Sequence, residues 1–220
     1  MMKISIVALL ILTTVNFSYG QSRHLNLGVK NSGICFGNSS CHNGLRLNIW
    51  DENVKEINGM NLSVRSYSKI FNGISIAVLA DASDISNGIS FAGLGIGGTK
   101  RNGIGIGGIS VDCDTLNGLF FGGLGVAGRT PKMPIKVING AAAGLLAVGA
   151  EKISGVMISP IWVYSNKQYG VSIAGFNKTE NLHGVQFGLL NYAGNNRKLF
   201  RWLPLINFNF SKQSDNNLNK

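Results

Sequence analysis

Apolar and polar positions along the chain follow a pattern that recurs about every fifteen residues. Each unit begins with a glycine, usually preceded by Asn, and continues with apolar residues at the first and third positions after it. A period of two is typical of a β-strand, and self-similarity at a fixed spacing predicts a repeat architecture. The repeat glycines are Gly44, Gly59, Gly73, Gly88, Gly103, Gly118, Gly140, Gly155, Gly170 and Gly184.

The residues around each repeat glycine separate by size. Bulky apolar residues occupy the first and third positions after it, while the fourth position holds mostly Gly, Ala, Ser or Asn. The apolar phase then shifts by one residue, which indicates a β-bulge or a corner. Several glycines per unit disfavour a helix, because each costs about 1 kcal/mol relative to alanine at a helical position. We therefore predict a strand even for the alanine-rich segment Ile138–Ala150.

Charged residues are confined to the segments between the apolar runs. From Gly73 to Lys167, every charged residue falls in what the pattern predicts to be a connector. The uncharged stretches span about nine to eleven residues, which is the length that a tilted strand needs to cross a bilayer. This placement of charge favours strands that face lipid.

The sequence thus predicts an all-β fold of about 15-residue glycine-rich strand repeats, in one of two arrangements. The first is a roughly 12-stranded antiparallel meander closed into a β-barrel, with bulky residues towards lipid and small ones inward. The alternative is a β-solenoid with one coil per unit and the bulky columns inside. Asn-Gly suits both, as a tight hairpin turn or as a stacked side-chain ladder. We favour the barrel because its strands are free of charge.

The ends of the chain differ in character from the repeats. Residues 1–20 combine Lys3, a short apolar core and small residues before Gln21, which predicts a cleavable signal peptide. Residues 21–210 are predicted to form a single β-repeat domain, and residues 211–220 a polar disordered tail. Only 14% of the chain is charged, against about 25% in a typical soluble domain. We expect an exported protein of the outer membrane or cell surface of a Gram-negative bacterium.

Net charge indicates the kind of partner. The formal charge is +10, and removal of the signal segment with its one lysine leaves +9. A basic exported chain suits anionic surfaces, so we expect outer-membrane lipid as a partner and consider a surface polysaccharide or a protein as further partners. The basic residues form no stripe with interleaved aromatics, which argues against nucleic acid.

The last units carry a family resemblance. The segments "GVQFGLLNYAGN", from Gly184, and "GVSIAGFNKTE", from Gly170, resemble the GLQIGLxNYA-type repeats of a poorly characterised family of bacterial surface-repeat proteins. The ending "RWLPLINFNF" is similar to the short aromatic close of those chains. The resemblance implies an exported, surface-associated β-repeat protein with no catalytic residue to transfer.

No constellation of residues predicts catalysis, a cofactor or a metal. Cys35 and Cys41 could close a small disulfide loop, which leaves Cys113 over. A G-x-G-x-x-G match at Gly93 lacks the following helix that a dinucleotide site needs. The acids form no pair suited to hydrolysis. We therefore expect a non-enzymatic protein with an envelope-associated or structural role, or alternatively a soluble surface solenoid that binds a carbohydrate or protein.

Overall fold

The computed structural model describes residues 24–128 and 134–211. The predicted signal peptide over residues 1–20 and the polar tail beyond residue 211 lie outside the described residues. The chain groups into two compact units, one ending at Ile109 and the other beginning at Ser110. The single repeat domain expected over residues 21–210 stays a prediction.

The first unit is a stack of parallel coils that begins with a hairpin. Strand β1 pairs antiparallel with β2, and from there β2, β3, β4 and β5 pair in parallel, each with the next. The register places each repeat glycine opposite the previous one, as in the pair Gly44 and Gly59. The strands are β1 (His24–Val29), β2 (Ser32–Gly37), β3 (Cys41–Trp50), β4 (Glu56–Ala92) and β5 (Gly95–Gly107).

The second unit continues the same rule. Strand β6 pairs in parallel with β7 and β8, which pair in turn with β9, and Gly118 lies opposite Gly140. After a short 3-10 helix, β10 pairs antiparallel with the end of β9 and closes the stack. The elements are β6 (Ser110–Gly122), β7 (Gly125–Val126), β8 (Val137–Gly144), β9 (Ala147–Ala193), the 3-10 helix Lys198–Phe200 and β10 (Trp202–Asn209).

These pairings confirm the all-β class and correct the arrangement. Strands make up 82% of the described residues, which contain no α-helix, and the fold is a β-solenoid. The prediction of a 12-stranded antiparallel meander or barrel is wrong, because successive repeats pair in parallel, one coil on the next. Among the described residues, β1 pairs antiparallel with β2, and β10 pairs antiparallel with β9. Segment Ile138–Ala150 is extended as predicted, apart from a bend between β8 and β9.

The register explains why each unit needs its repeat glycine. All ten predicted repeat glycines have φ between 113° and 152°, a region that side chains rarely adopt. A Cβ built on Gly88 would lie 2.0 Å from the carbonyl oxygen of Gly73, and one on Gly155 would lie 1.9 Å from that of Gly140. The backbones of successive coils therefore approach too closely at this column for any other residue.

In the first four positions after a repeat glycine, bulky residues point outward and small ones inward. At the first and third positions after Gly73, Ile74 and Ile76 are exposed, whereas Ser75 and Ala77 between and after them are buried. The solenoid alternative with bulky columns inside is therefore wrong about side-chain direction, and the inward-small arrangement assigned to the barrel is the one observed. A parallel coil puts adjacent β-positions on opposite sides, so this direction follows once the register is set.

Candidate functional site

The outward apolar residues form a continuous apolar face in each unit. We define it by the first, third, fifth and sixth positions after each repeat glycine, where from Gly73 onward the sequence has only apolar residues or Gly. Ile76 and Leu94 in the first unit are 43% and 48% exposed, and Phe176 in the second is 46% exposed. Contiguous exposed apolar surface of this kind marks an interaction site.

The apolar face of the first unit contains a shallow groove. Its volume is about 600 Å³, and its walls come from three successive coils. Apart from Asn48 and Ser63, its side chains are aliphatic, so the groove offers mainly apolar contact area. The main lining residues are Leu47, Ile49, Leu62, Val64, Ile76 and Val78.

A ladder of asparagines lies beside the repeat glycines. The side-chain amide of Asn58 donates to the Oδ1 of Asn43 at 2.9 Å, and Asn72, Asn87 and Asn102 each continue the ladder with donor–acceptor distances of 2.7 to 2.8 Å. The second unit has one such pair, in which Asn139 donates to Asn117 at 2.8 Å. These bonds answer the choice left open by the sequence: Asn-Gly stacks coils here and forms no hairpin turn.

The next coils of the second unit replace the ladder with rings. The rings of Tyr169 and His183 stack with centroids 5.0 Å apart and planes 6° apart, and the Lys152 ammonium lies 5.5 Å from the Tyr169 centroid. His183 therefore keeps the stacking role of the column without acting as a ligand. Both rings pack on the outside of the coil.

The inward side of the first unit holds two buried ion pairs that the sequence analysis missed. Arg101 Nη1 is 2.9 Å from Asp81 Oδ2, and the guanidinium also donates to Ser90 and Gly97. Nearer the start of the unit, Arg46 Nη2 is 2.7 Å from Asp51 Oδ1. The placement of every charge in a connector is therefore wrong, because Asp81 and Arg101 lie within strands and point inward.

The aligned repeats contain a pattern from which the Asp81–Arg101 ion pair could have been predicted. Arg101 is thirteen residues after Gly88, and Leu116 and Ile153 occupy the same position in their coils. Those two residues are fully buried. A charge in an otherwise uncharged inward column predicts a buried partner, since an isolated buried charge is very costly.

A polar cavity of about 390 Å³ lies on the second unit, away from the apolar face. One wall is Tyr164, whose ring lies across the backbone of Gly149, so that a Cβ there would be 2.1 Å from the ring Cζ. Burial raises the pKa of the Tyr164 hydroxyl above its ordinary value. The other main lining residues are Pro134, Glu151, Asn166, Lys178 and Glu180.

Cys35 and Cys41 are not bonded to each other in this structure. Cys35 is buried, with its Sγ 3.8 Å from the carbonyl oxygen of Gly37. Its neighbour across the β2–β3 register is Arg46, five residues along the strand from Cys41. The Cys35–Cys41 disulfide considered from the sequence is therefore not formed, because the register places Cys41 well away from the residue opposite Cys35.

Within the described ranges, 24–128 and 134–211, no group of three or more His, Cys, Asp or Glu residues is arranged to hold a metal ion. His42, the most buried histidine, instead lies with Nε2 3.1 Å from the carbonyl oxygen of Gly33. Burial, and to a smaller degree the charge of Arg46, lowers the pKa of His42. This histidine belongs to the interior of the coil.

Comparison with known proteins assigns no family to the chain. No protein-family model matches the chain, and neither the curated proteins nor the solved structures contain a match to it. In the part of the chain that the structure describes, no helix is both long and apolar enough to span a membrane. The resemblance to surface-repeat proteins stays a prediction.

Proposed function

We propose that the chain is a non-enzymatic, exported envelope protein whose apolar face rests on the lipid of the outer membrane. The observation that carries the proposal is the apolar face itself, which lacks charged side chains from Gly73 onward in both units. A protein partner would normally be matched by hydrogen-bonding groups around its contact surface. This face offers almost none, and hydrocarbon requires none.

The charged side chains are placed to stay in water when the apolar face contacts the bilayer, and the net charge favours an anionic surface. Charged side chains occupy the outward positions eleven and twelve residues after the repeat glycines, such as Asp84, Lys100 and Lys152. They lie on a separate strip of the coil from the apolar face. Basic residues outnumber acidic ones by twenty to ten, so the long-range field favours an anionic surface. The proposed role is structural, as a protein attached to the surface of the outer membrane.

Vesicle co-sedimentation tests this role with the chain from Gln21 onward. We expect binding to vesicles that contain phosphatidylglycerol and phosphatidylethanolamine. Phe91→Glu should weaken binding by at least about tenfold, because it places a charge in the middle of the apolar face, where burial costs more than 1.4 kcal/mol. Thr99→Glu adds the same charge at a polar outward position and is the matched control.

Two results would contradict the proposal. One is the absence of sedimentation with any of these vesicles while circular dichroism shows folded β-structure. The other is equal binding by wild type, Phe91→Glu and Thr99→Glu, which would mean that the apolar face does not contact lipid. Self-association that disappears in Phe91→Glu, without vesicle binding, would assign the face to a second copy of the chain.

A further inference from the structure

The polar cavity of the second unit is built by two departures from the repeat. The first is Tyr164, nine residues after Gly155, where other coils carry small residues such as Ala82, Gly97 and Gly149. Its ring lies across Gly149, and only glycine leaves room for it there. A half-buried aromatic ring with a fixed orientation makes a flat apolar floor.

The second departure is the one insertion in the repeat. The step from Gly118 to Gly140 is 22 residues long, against 14 or 15 elsewhere. The returning end of this insertion is anchored: Ile135 is buried, and its carbonyl oxygen accepts a hydrogen bond from Glu151 N at 2.8 Å. Pro134, next to this anchor, forms a wall of the cavity. Pro134, from the insertion, and Tyr164 therefore line two sides of the same cavity.

The remaining side chains supply both donors and acceptors. Glu151 and Glu180 accept hydrogen bonds, Lys178 donates them, and the amide of Asn166 does both. Lys178 Nζ and Glu180 Oε1 are 3.9 Å apart, beyond hydrogen-bond distance, so both groups keep bonding capacity for a ligand. Two carboxylates and one ammonium give this rim a net charge of −1, which disfavours an anionic ligand.

Neutral sugars match this chemistry. Each hydroxyl both donates and accepts, and the C–H face of a sugar ring packs on an aromatic ring. The cavity volume of about 390 Å³ is near the lower end of the range for small-molecule sites, about 300–1,000 Å³. A volume of that size accommodates one or two sugar rings of a longer chain.

We propose that this cavity binds a neutral saccharide unit of a surface polysaccharide, with Tyr164 as the stacking floor and Glu151, Asn166 and Glu180 as hydrogen-bonding partners. The site lies on a different strip of the coil from the apolar face. The inference therefore does not depend on lipid attachment, and a chain that adheres to lipid by one face keeps this cavity open to the medium.

The test is a titration of the ¹⁵N-labelled chain from Gln21 onward, followed by NMR chemical shifts, with maltose, cellobiose and diacetylchitobiose as probes. We expect at least one probe to shift resonances of the cavity residues in a saturable way. Asn166→Ala and Glu180→Ala should each weaken that binding by about tenfold, the value of one or two hydrogen bonds. Tyr164→Phe keeps the stacking floor and should weaken it less.

The repeat provides matched controls in the first unit. Asp84→Ala removes a carboxylate from the coil position that Glu151 occupies in its own coil, and Tyr67→Phe removes an exposed tyrosine hydroxyl. Neither should change saccharide affinity. Glu180→Ala should also leave vesicle sedimentation unchanged, so loss of saccharide binding and loss of lipid binding are separate results.

Three outcomes would overturn the saccharide assignment. The first is no saturable shift with any of the three probes while the spectrum shows a folded chain. The second is binding that Asn166→Ala and Glu180→Ala leave unchanged, which places the sugar elsewhere. The third is displacement of the sugar by tetramethylammonium at lower concentration than the sugar itself needs, which would make the cavity a cation site between carboxylates and a tyrosine ring.

Discussion

In the unit that ends at Ile109, the inward side of the coils carries arginine, aspartate and serine. The first coils of the unit that begins at Ser110 fill it with leucine, isoleucine, valine and alanine, and its last coils become polar again, with Gln168, Asn177 and Gln186 buried. Arg101 and Ile153 illustrate the contrast, because each is thirteen residues after a repeat glycine and each is buried. The backbone pairing is nonetheless parallel and in the same register. The coil is therefore set by its backbone ladder and glycine column, and two different interiors are compatible with it.

The polar interior has a thermodynamic cost that the apolar interior lacks. Among the described residues, the hydroxyls of Ser63, Ser68, Ser75 and Ser83 are buried without a hydrogen-bond partner in the structure. The ion pairs of this unit are themselves weak evidence for stability, since desolvation offsets much of their attraction. The pair Asp81–Arg101 favours one register, because the two residues belong to successive coils and can pair only when those coils are aligned.

The largest expected effect tests what the two units share. Gly88→Ala in the first unit and Gly155→Ala in the second should each destabilise their unit by about 4 kcal/mol or more, because the new Cβ overlaps a backbone oxygen at about 2 Å. Hydrogen exchange read by mass spectrometry would report the loss unit by unit. Similar exchange in wild type and either variant would contradict the claim that the glycine column sets the coil.

The next largest effect distinguishes the polar interior from the apolar interior by the stability lost on substitution at the same coil position. Arg101→Met leaves Asp81 buried without its partner and should cost about 3–5 kcal/mol in free energy of unfolding. Combining it with Asp81→Ala should recover most of that loss, because no buried charge remains. Ile153→Ala, at the same coil position, should cost about 2–5 kcal/mol through the cavity it creates.

Chemical denaturation followed by circular dichroism measures these three variants and the single variant Asp81→Ala. Ile153→Ala has no charged partner, so no single second substitution should rescue it in the same way. If Arg101→Met with Asp81→Ala is as unstable as the sum of the two single changes, the buried ion pair contributes stability in its own right and the account of the polar interior fails.

The smallest effect depends on pH. Because burial lowers the pKa of His42 in the folded chain, the unfolded chain binds the proton more readily. Stability of the first unit should therefore fall as pH drops below about 6.5, the usual histidine value, towards the folded pKa. His42→Gln should flatten this part of the pH profile, read as hydrogen exchange in the first unit. An unchanged profile would mean that other groups carry the dependence.

Much of this fold follows from the sequence pattern, and its limits have physical causes. The period, the ten repeat glycines and the inward-small arrangement are all visible in the columns that start at Gly44. Strand direction is not, because Asn-Gly has the backbone freedom for a hairpin turn and the side chain for a ladder. The alternating pattern on one strand is also the same whichever way its neighbour runs.

The features used for function were harder to predict. Asp81 and Arg101 are twenty residues apart, so only a known coil register makes them neighbours. The polar cavity needs the ring of Tyr164 to lie over Gly149, which no local pattern reports. The uncharged runs in the sequence predicted an outward apolar face. The structure places these side chains on the outside of a solenoid coil, whereas the prediction placed them on the outside of a closed barrel.

The antiparallel strands at the two ends have a consequence for how such a chain is made. Each coil forms hydrogen bonds with the coil about fifteen residues earlier in the sequence. A newly synthesised coil can therefore pair at once, because its partner strand is already complete and no distant segment is needed. Strand β10 runs antiparallel to β9 and carries Pro204, which has no backbone N–H to donate to a further strand, beside a register shift between Leu203 and Leu205. Within each unit, growth of the coil is thus templated at each step, and a whole repeat can be gained or lost without a change in the pairing rule.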